Sequence, residues 1–144
     1  MFSKACEYAI RATILIAKAS EEGYRLNGKA IAAQTDSPEA FTAKILQKLG
    51  HHGLITSVKG PGGGFDLPKA QARKVTLSDI VKVIDDDSIY KGCALGLAQC
   101  NSAKPCPLHD HFLRIRDDLR RMLERTSIHD LATGVKDGDT FLKR

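Results

Sequence analysis

The chain has no tryptophan, no internal repeat and no low-complexity tract in its 144 residues. With 42% hydrophobic and 27% charged residues it is globular rather than disordered. Its length suits about one domain with a real core. Its start also lacks an unbroken apolar run: in MFSKACEYAIRATILIA and just beyond, Arg11 and Lys18 interrupt the hydrophobic stretch. Neither a cleavable signal nor a membrane span is therefore expected, and the expected setting is a reducing cytoplasm rather than one that favours disulfides. The cysteines include no tight Cys-x2-4-Cys pair, which the usual structural zinc sites show. The run Gly62-Gly63-Gly64 is followed neither by Lys-Ser/Thr nor by a helix start, so a nucleotide loop would lack the helix N-terminus it needs. No substrate-sized catalytic constellation is visible, and the chain is not expected to be an enzyme.

Cysteine is present where it is informative. Of four cysteines, Cys93, Cys100 and Cys106 follow a Cys-x6-Cys-x5-Cys spacing, with His109 three residues after the last. They fall in GCALGLAQCNSAKPCPLH, an irregular segment without the apolar periodicity of a core element. Thiolates are soft ligands suited to iron–sulfur clusters, zinc and copper(I), and a flexible loop can wrap several of them round one centre. The same residues also suit reactive thiols, or buried cysteines with a purely structural role.

The order of elements is three helices, a hairpin, a fourth helix, the cysteine loop and a long helix. Ser3 can cap a first helix to about Ala19, with Ala5, Tyr8, Ala9, Ala12, Leu15, Ile16 and Ala19 at helical spacing. Asn27 starts a short second helix, and Asp36-Ser37 before Pro38 predicts a third with proline at its first position, ending by Gly53. At about 100° per residue Phe41, Thr42, Ile45 and Leu49 face inward, while Ala40, Ala43, Lys44, Gln47 and His51 face outward. That outward face is either a solvated surface or a helix that approaches DNA closely while offering donors. Leu54–Val58 and Phe65–Leu67 read as strands joined by Gly60-Pro61-Gly62-Gly63-Gly64, with Lys59 at the edge of the turn. Three helices and a basic-tipped hairpin are the order of a winged helix-turn-helix, whose third helix enters the major groove while the wing reaches phosphate or the minor groove. A formal charge of +5 and a pI near 9.1 suit an anionic partner.

Thr76-x-x-Asp79 is a capping-box pattern for the fourth helix, through Ile80, Val81, Val83 and Ile84. After Pro107, the residues Leu108, Phe112, Ile115, Leu119 and Met122 recur at alternating four- and three-residue steps, the seam of a helix packed lengthwise on another. Arg114, Asp117, Asp118, Arg120, Arg121 and Arg125 solvate its other faces. The partner is either a helix of the same chain or a second copy. With no second helix of comparable length expected here, a homodimer is preferred.

The chain resembles the bacterial IscR/NsrR-type family of winged-helix iron–sulfur transcription regulators. The resemblance runs from SKACEYAIRA through the Ser37-Pro38 helix, GLITSVKGPGGGF and VTLSDIVKVID to the cysteine loop and RTSIHDLA. It implies a dimeric DNA-binding regulator with one [2Fe–2S] or [4Fe–4S] cluster per subunit, held by Cys93, Cys100, Cys106 and one non-cysteine ligand. His109 stands where IscR-type proteins supply that ligand; Glu7 aligns with the acidic residue that NsrR-type proteins contribute from the opposite subunit. The first cysteine gap is a residue longer than usual in the family. Ala43 stands where IscR carries a base-reading glutamate, so IscR's operator preference does not transfer. Lys59 replaces a frequent wing arginine, keeping the charge without the planar fork. Cys6, beside Glu7, is expected to be buried in the first helix.

These readings give a mainly α fold with a small β-hairpin wing, divided into a winged helix-turn-helix over 1–84, a cysteine loop over 85–107, a dimerisation helix over 108–126, and a short helix with a polar tail over 127–144. The expected function is transcription regulation at a palindromic operator, with affinity controlled by a cluster that senses iron–sulfur status, redox state or nitric oxide. The alternative is a cluster-free, thiol-based regulator. DNA contacts are expected from Ala40, Ala43, Lys44, Gln47 and Lys59.

Overall fold

The computed structural model describes residues 1–143. Helix α1 (Lys4–Glu21) begins at the predicted cap: Ser3 is extended, and its hydroxyl accepts the Cys6 N–H at 3.0 Å. It runs two residues past Ala19. Its buried positions (Cys6, Ala9, Ala12, Thr13, Ile14, Ile16, Ala17 and Ala19) surround much of the cylinder, because α1 is the central helix against which α2, α3, α5 and α7 pack. Alanine suits this role: it favours helix and lets neighbours approach closely. Thr13 satisfies its buried hydroxyl by donating to the Ala9 carbonyl at 2.7 Å.

Helix α2 (Gly28–Thr35) is capped by Asn27, whose side chain accepts the Ala30 N–H at 2.8 Å. Asp36 ends it in the left-handed conformation, φ 51°. The turn into α3 (Glu39–His51) is held by hydroxyls: Ser37 lies 2.8 Å from Thr35 Oγ1 and also meets Thr42 Oγ1, with both threonines buried. Pro38 is the cap of α3 rather than its first helical residue, since its ψ of 134° is extended. The inward stripe is Thr42, Ile45, Leu46 and Leu49. At 100° per residue that stripe is centred so that Leu46 falls inside it and Phe41 at its margin. Phe41 is 36% exposed and rests edge-on against Tyr8, with ring centroids 5.8 Å apart.

The hairpin is shorter than the apolar pattern predicts. β1 (Thr56–Val58) pairs antiparallel with β2 (Gly64–Asp66) in the register Thr56–Asp66, Ser57–Phe65, Val58–Gly64. Leu54, Ile55 and Leu67 flank the strands instead and pack into the core. The base of the wing is tied to the end of α1 and the α1–α2 connection: Phe65 N–H donates to the Leu26 carbonyl at 2.9 Å, and Ser20 Oγ, in the last turn of α1, bridges Asp66 Oδ1 (2.8 Å) and the Leu67 N–H (2.9 Å).

A short helix the sequence pattern does not announce, α4 (Lys69–Ala72), follows Pro68. Helix α5 (Leu77–Asp85) has both arms of the capping box, Thr76 N–H to Asp79 Oδ2 at 2.9 Å and Asp79 N–H to Thr76 Oγ1 at 3.3 Å. A 3-10 turn at Ser88–Tyr90 leads into the cysteine segment. Helix α6 (His109–Arg125) starts two residues after Pro107, with Leu108 as its cap. Helix α7 (Ile128–Lys136) then folds back on α1 and buries Ile128 and Ala132 in the same core as the N-terminal helices. The connections before α5 and α7 lie side by side, joined by Leu77 N–H to Thr126 O (3.0 Å) and Ile128 N–H to Val75 O (2.9 Å).

The expectation that α6 has no rival in length is corrected: α1 spans 18 residues against 17 in α6. The two do not form a lengthwise pair, because α1 is enclosed by its other neighbours and α6 packs on α5. Leu123 anchors α6, fully buried, while Ile115 and Met122 of the seam stand 55% and 46% exposed and Leu113 47%. Arg120 does more than solvate the helix, for its guanidinium lies 4.8 Å from the centre of the Tyr90 ring. Among the described residues no helix is long and apolar enough to cross a membrane.

Candidate functional site

Two regions carry the chemistry-bearing residues. The first is the cysteine loop, rooted where α5 ends. There Asp85 accepts the Ser3 N–H at 3.0 Å and also takes the Ser3 hydroxyl, joining the start of α1 to the end of α5. Cys6 lies in this joint, fully buried; burial, with the Asp85 carboxylate beside it, pushes its thiol up to about 12. It is a neutral core residue, as its place in the first helix predicts.

Cys93 and Cys106 are both half-buried, and Cys100 Sγ lies 3.5 Å from His109 Nδ1 in the first turn of α6. Backbone N–H groups of Leu95 and Leu97, in that order, together with the Cys106 thiol and the Arg116 guanidinium, hold the Cys93 thiol below its ordinary range. Among the described residues no three His, Cys, Asp or Glu side chains stand together at metal-site spacing. The donor set still fits an iron–sulfur cluster in kind: soft sulfur ligands with an imidazole, all on one largely exposed loop and the helix start after it. Glu7 is not gathered with them; its carboxylate pairs with Lys4 at 3.1 Å, one turn away on α1. Of the remaining histidines, His51, His52 and His111 are exposed and His129 is half-buried.

The second region is the outer face of α3 with the wing. Ala40, Ala43, Lys44 and Gln47 are all exposed on α3, and Lys59 is exposed where β1 enters its turn. An open cleft of about 760 Å³ separates helix and hairpin, lined by Ala43, Gln47 and His51 on one side and Thr56 and Ser57 on the other. Helix and wing thus border one concave surface. Arg25, which sequence patterning does not single out, braces the wing itself: its guanidinium lies 3.8 Å from Asp66 and 3.5 Å from the Gly62 carbonyl. Its only local signal is a lone arginine between two helices, and the Leu26–Phe65 bridge is what brings it to the wing.

The Rrf2 family profile, described as an iron-dependent transcriptional regulator, matches residues 2–134. The chain belongs to the Rrf2 family. A protein of Aquifex aeolicus (strain VF5), provisionally named an HTH-type transcriptional regulator, is 30% identical over 133 residues, covering 91% of this chain and 90% of its own. Two solved structures share the fold. One is CymR (YrzC), the global cysteine regulator of B. subtilis, with a TM-score of 0.73 at 23% identity over 92% of this chain and 96% of that one. The other is T. potens IscR, with a TM-score of 0.73 at 18% identity over 98% and 92%. The Rrf2 chain is therefore a winged-helix transcription regulator and not an enzyme.

Proposed function

We propose that this Rrf2 protein binds a palindromic operator as a homodimer, with an affinity set by an iron–sulfur cluster at the cysteine loop. Cys93, Cys100 and Cys106 would hold it with His109 as the fourth ligand, Glu7 from a second copy being the alternative. The observation that carries this reading is the contact of Cys100 with His109 at 3.5 Å, on the loop that holds all three cysteines and leads into α6. When bound, such a group supplies iron–thiolate bonds that respond to oxidants, iron supply and nitric oxide, whether it is [2Fe–2S] or [4Fe–4S].

The chain's own residues provide the coupling. Residues 1–84 form the reading head, with α3 offering Lys44 and Gln47 to the major groove across the small Ala40 and Ala43, and Lys59 reaching phosphate from the wing. Residues 108–126 form the dimer seam through Leu108, Phe112, Ile115, Leu119 and Met122, of which Ile115 and Met122 stand exposed within one chain. The loop between them, 85–107, starts from the Asp85–Ser3 joint and ends on α6, so a change in its order alters how two reading heads are spaced. Helix α7 would join the reading head, since it packs on α1.

A second reading, a cluster-free thiol regulator, draws on the Cys93 thiol, which the backbone N–H groups of Leu95 and Leu97 hold below its ordinary range. Anaerobic purification separates the two. A brown protein with charge-transfer bands, iron and acid-labile sulfide supports the cluster; a colourless protein whose DNA affinity changes with thiol oxidants supports the alternative.

A further inference from the structure

Arg116 lies about two turns into α6, half-buried, and points back toward the cysteine loop. Its guanidinium donates from Nη1 to Cys100 Sγ at 3.6 Å and from Nη2 to the Gly92 carbonyl. Gly92 immediately precedes Cys93, so one side chain joins the start of the loop to its middle. Four residues on, on the same helical face, Arg120 covers Tyr90 just upstream of Gly92. Between loop and helix lies a cavity of about 520 Å³, lined by Tyr90, Gly92, Gln99, Cys100, Leu113 and Arg116. Packing around that space is open, and directed hydrogen bonds from Arg116 bridge it.

We infer that Arg116 is a positioning residue for the cysteine centre: it pins Cys100 against the loop entrance and presents a charged donor to the Cys100 sulfur. The geometry calls for arginine. A planar guanidinium has five N–H donors in a fixed fork and can address a carbonyl and a sulfur together, whereas a lysine ammonium is a point charge on a flexible stem. Hydrogen bonds to ligand sulfurs and nearby charge are among the terms that set a cluster's potential. The same contact ties the centre mechanically to α6, the element proposed above as the dimer seam. The sulfur-tuning half of the inference rests on the cluster reading; the pinning half does not.

The test compares full-length wild type, Arg116→Met and Arg116→Lys. In metal-free, thiol-reduced protein, hydrogen exchange at the amides of residues 92–101 should be about tenfold faster in Arg116→Met, the loss expected when a charged hydrogen bond is removed. Arg116→Lys should fall between, since it can serve one acceptor at a time. Circular dichroism and melting should be unchanged, because Arg116 is outside the buried core. In anaerobically loaded protein the midpoint potential should fall in Arg116→Met and be largely restored in Arg116→Lys, a response that a merely structural role would not give. Unchanged exchange in Arg116→Met overturns the pinning, and an unchanged potential overturns the tuning. If wild type takes up no cluster, the cluster reading fails by itself, and the exchange comparison still decides whether Arg116 pins the loop.

Discussion

Replacing Gly64 by alanine should detach the wing while leaving the rest of the fold in place. Gly64 has φ +141°, a conformation open to glycine but strained for any residue with a Cβ. A Cβ built there would stand 2.7 Å from the Leu26 carbonyl oxygen and 2.9 Å from its carbon. These are backbone atoms of the α1–α2 connection and cannot step aside as a side-chain tip would. Strand β2 must move away, losing the Phe65 N–H to Leu26 O bond of 2.9 Å. Conformational strain of about 1–2 kcal/mol and a lost hydrogen bond of about 1 kcal/mol sum to roughly 2–3 kcal/mol against the docked wing. At 1.4 kcal/mol per factor of ten, the docked fraction relative to the displaced one falls by about 30- to 150-fold, which caps the loss of operator affinity if binding needs the wing in place. Fluorescence anisotropy on an operator duplex at fixed salt measures this, with hydrogen exchange at 58–66 reporting the wing itself. Gly62→Asn is the control: φ is +72° with nothing within 4 Å of a Cβ, and asparagine tolerates that region, so affinity should stay near wild type. Wild-type affinity and wing protection in Gly64→Ala would refute the reasoning from steric contact to wing to DNA.

Other outcomes follow from the same geometry. Changing any one of Cys93, Cys100 or Cys106 to alanine should abolish normal cluster loading, whereas Cys6→Ala should not; iron and sulfide analysis of the anaerobic protein checks both. His109→Ala should labilise the cluster more than Glu7→Gln, and the reverse ranking in chelator-release kinetics would transfer the ligand role to Glu7. Gln47→Ala should change which operator sequences are preferred, at roughly 1–3 kcal/mol of discrimination if it meets a base edge, and Lys59→Ala should weaken binding to all sequences and reduce the salt slope by about one. Cys6, fully buried with its thiol pushed up to about 12, stays protonated at any ordinary pH and should escape iodoacetamide in the folded reduced protein while Cys100 reacts, as read by mass spectrometry. Leu123→Ala should cost about 2–5 kcal/mol of stability, the range for truncating a fully buried leucine, by denaturant titration.

What the sequence determined by itself is local. The caps at Ser3 and Asn27 and the box of Thr76 with Asp79 are read correctly because each joins a side chain to a backbone amide three residues away, a contact made before the chain meets anything distant. The hairpin, the long helix and the cysteine spacing are likewise short-range patterns, and together they were enough to place the chain among winged-helix regulators. Tertiary structure decided whatever depends on which surfaces meet. The α3 stripe shifts from Phe41 to Leu46 because α1 and α5, as well as α2, press on that helix, and Tyr8 gives Phe41 a place at the rim. Helix α7 packs into the core of the N-terminal helices because its apolar face finds α1, and a polar tail pattern carries no address for that partner. Arg25 reaches Asp66 and Arg116 reaches Gly92 across 41 and 24 residues of chain. No periodicity relates such positions, since a helical or strand repeat specifies only which neighbours share a face. Those two contacts, one at the wing and one at the cysteine loop, arise only when packing brings distant segments together.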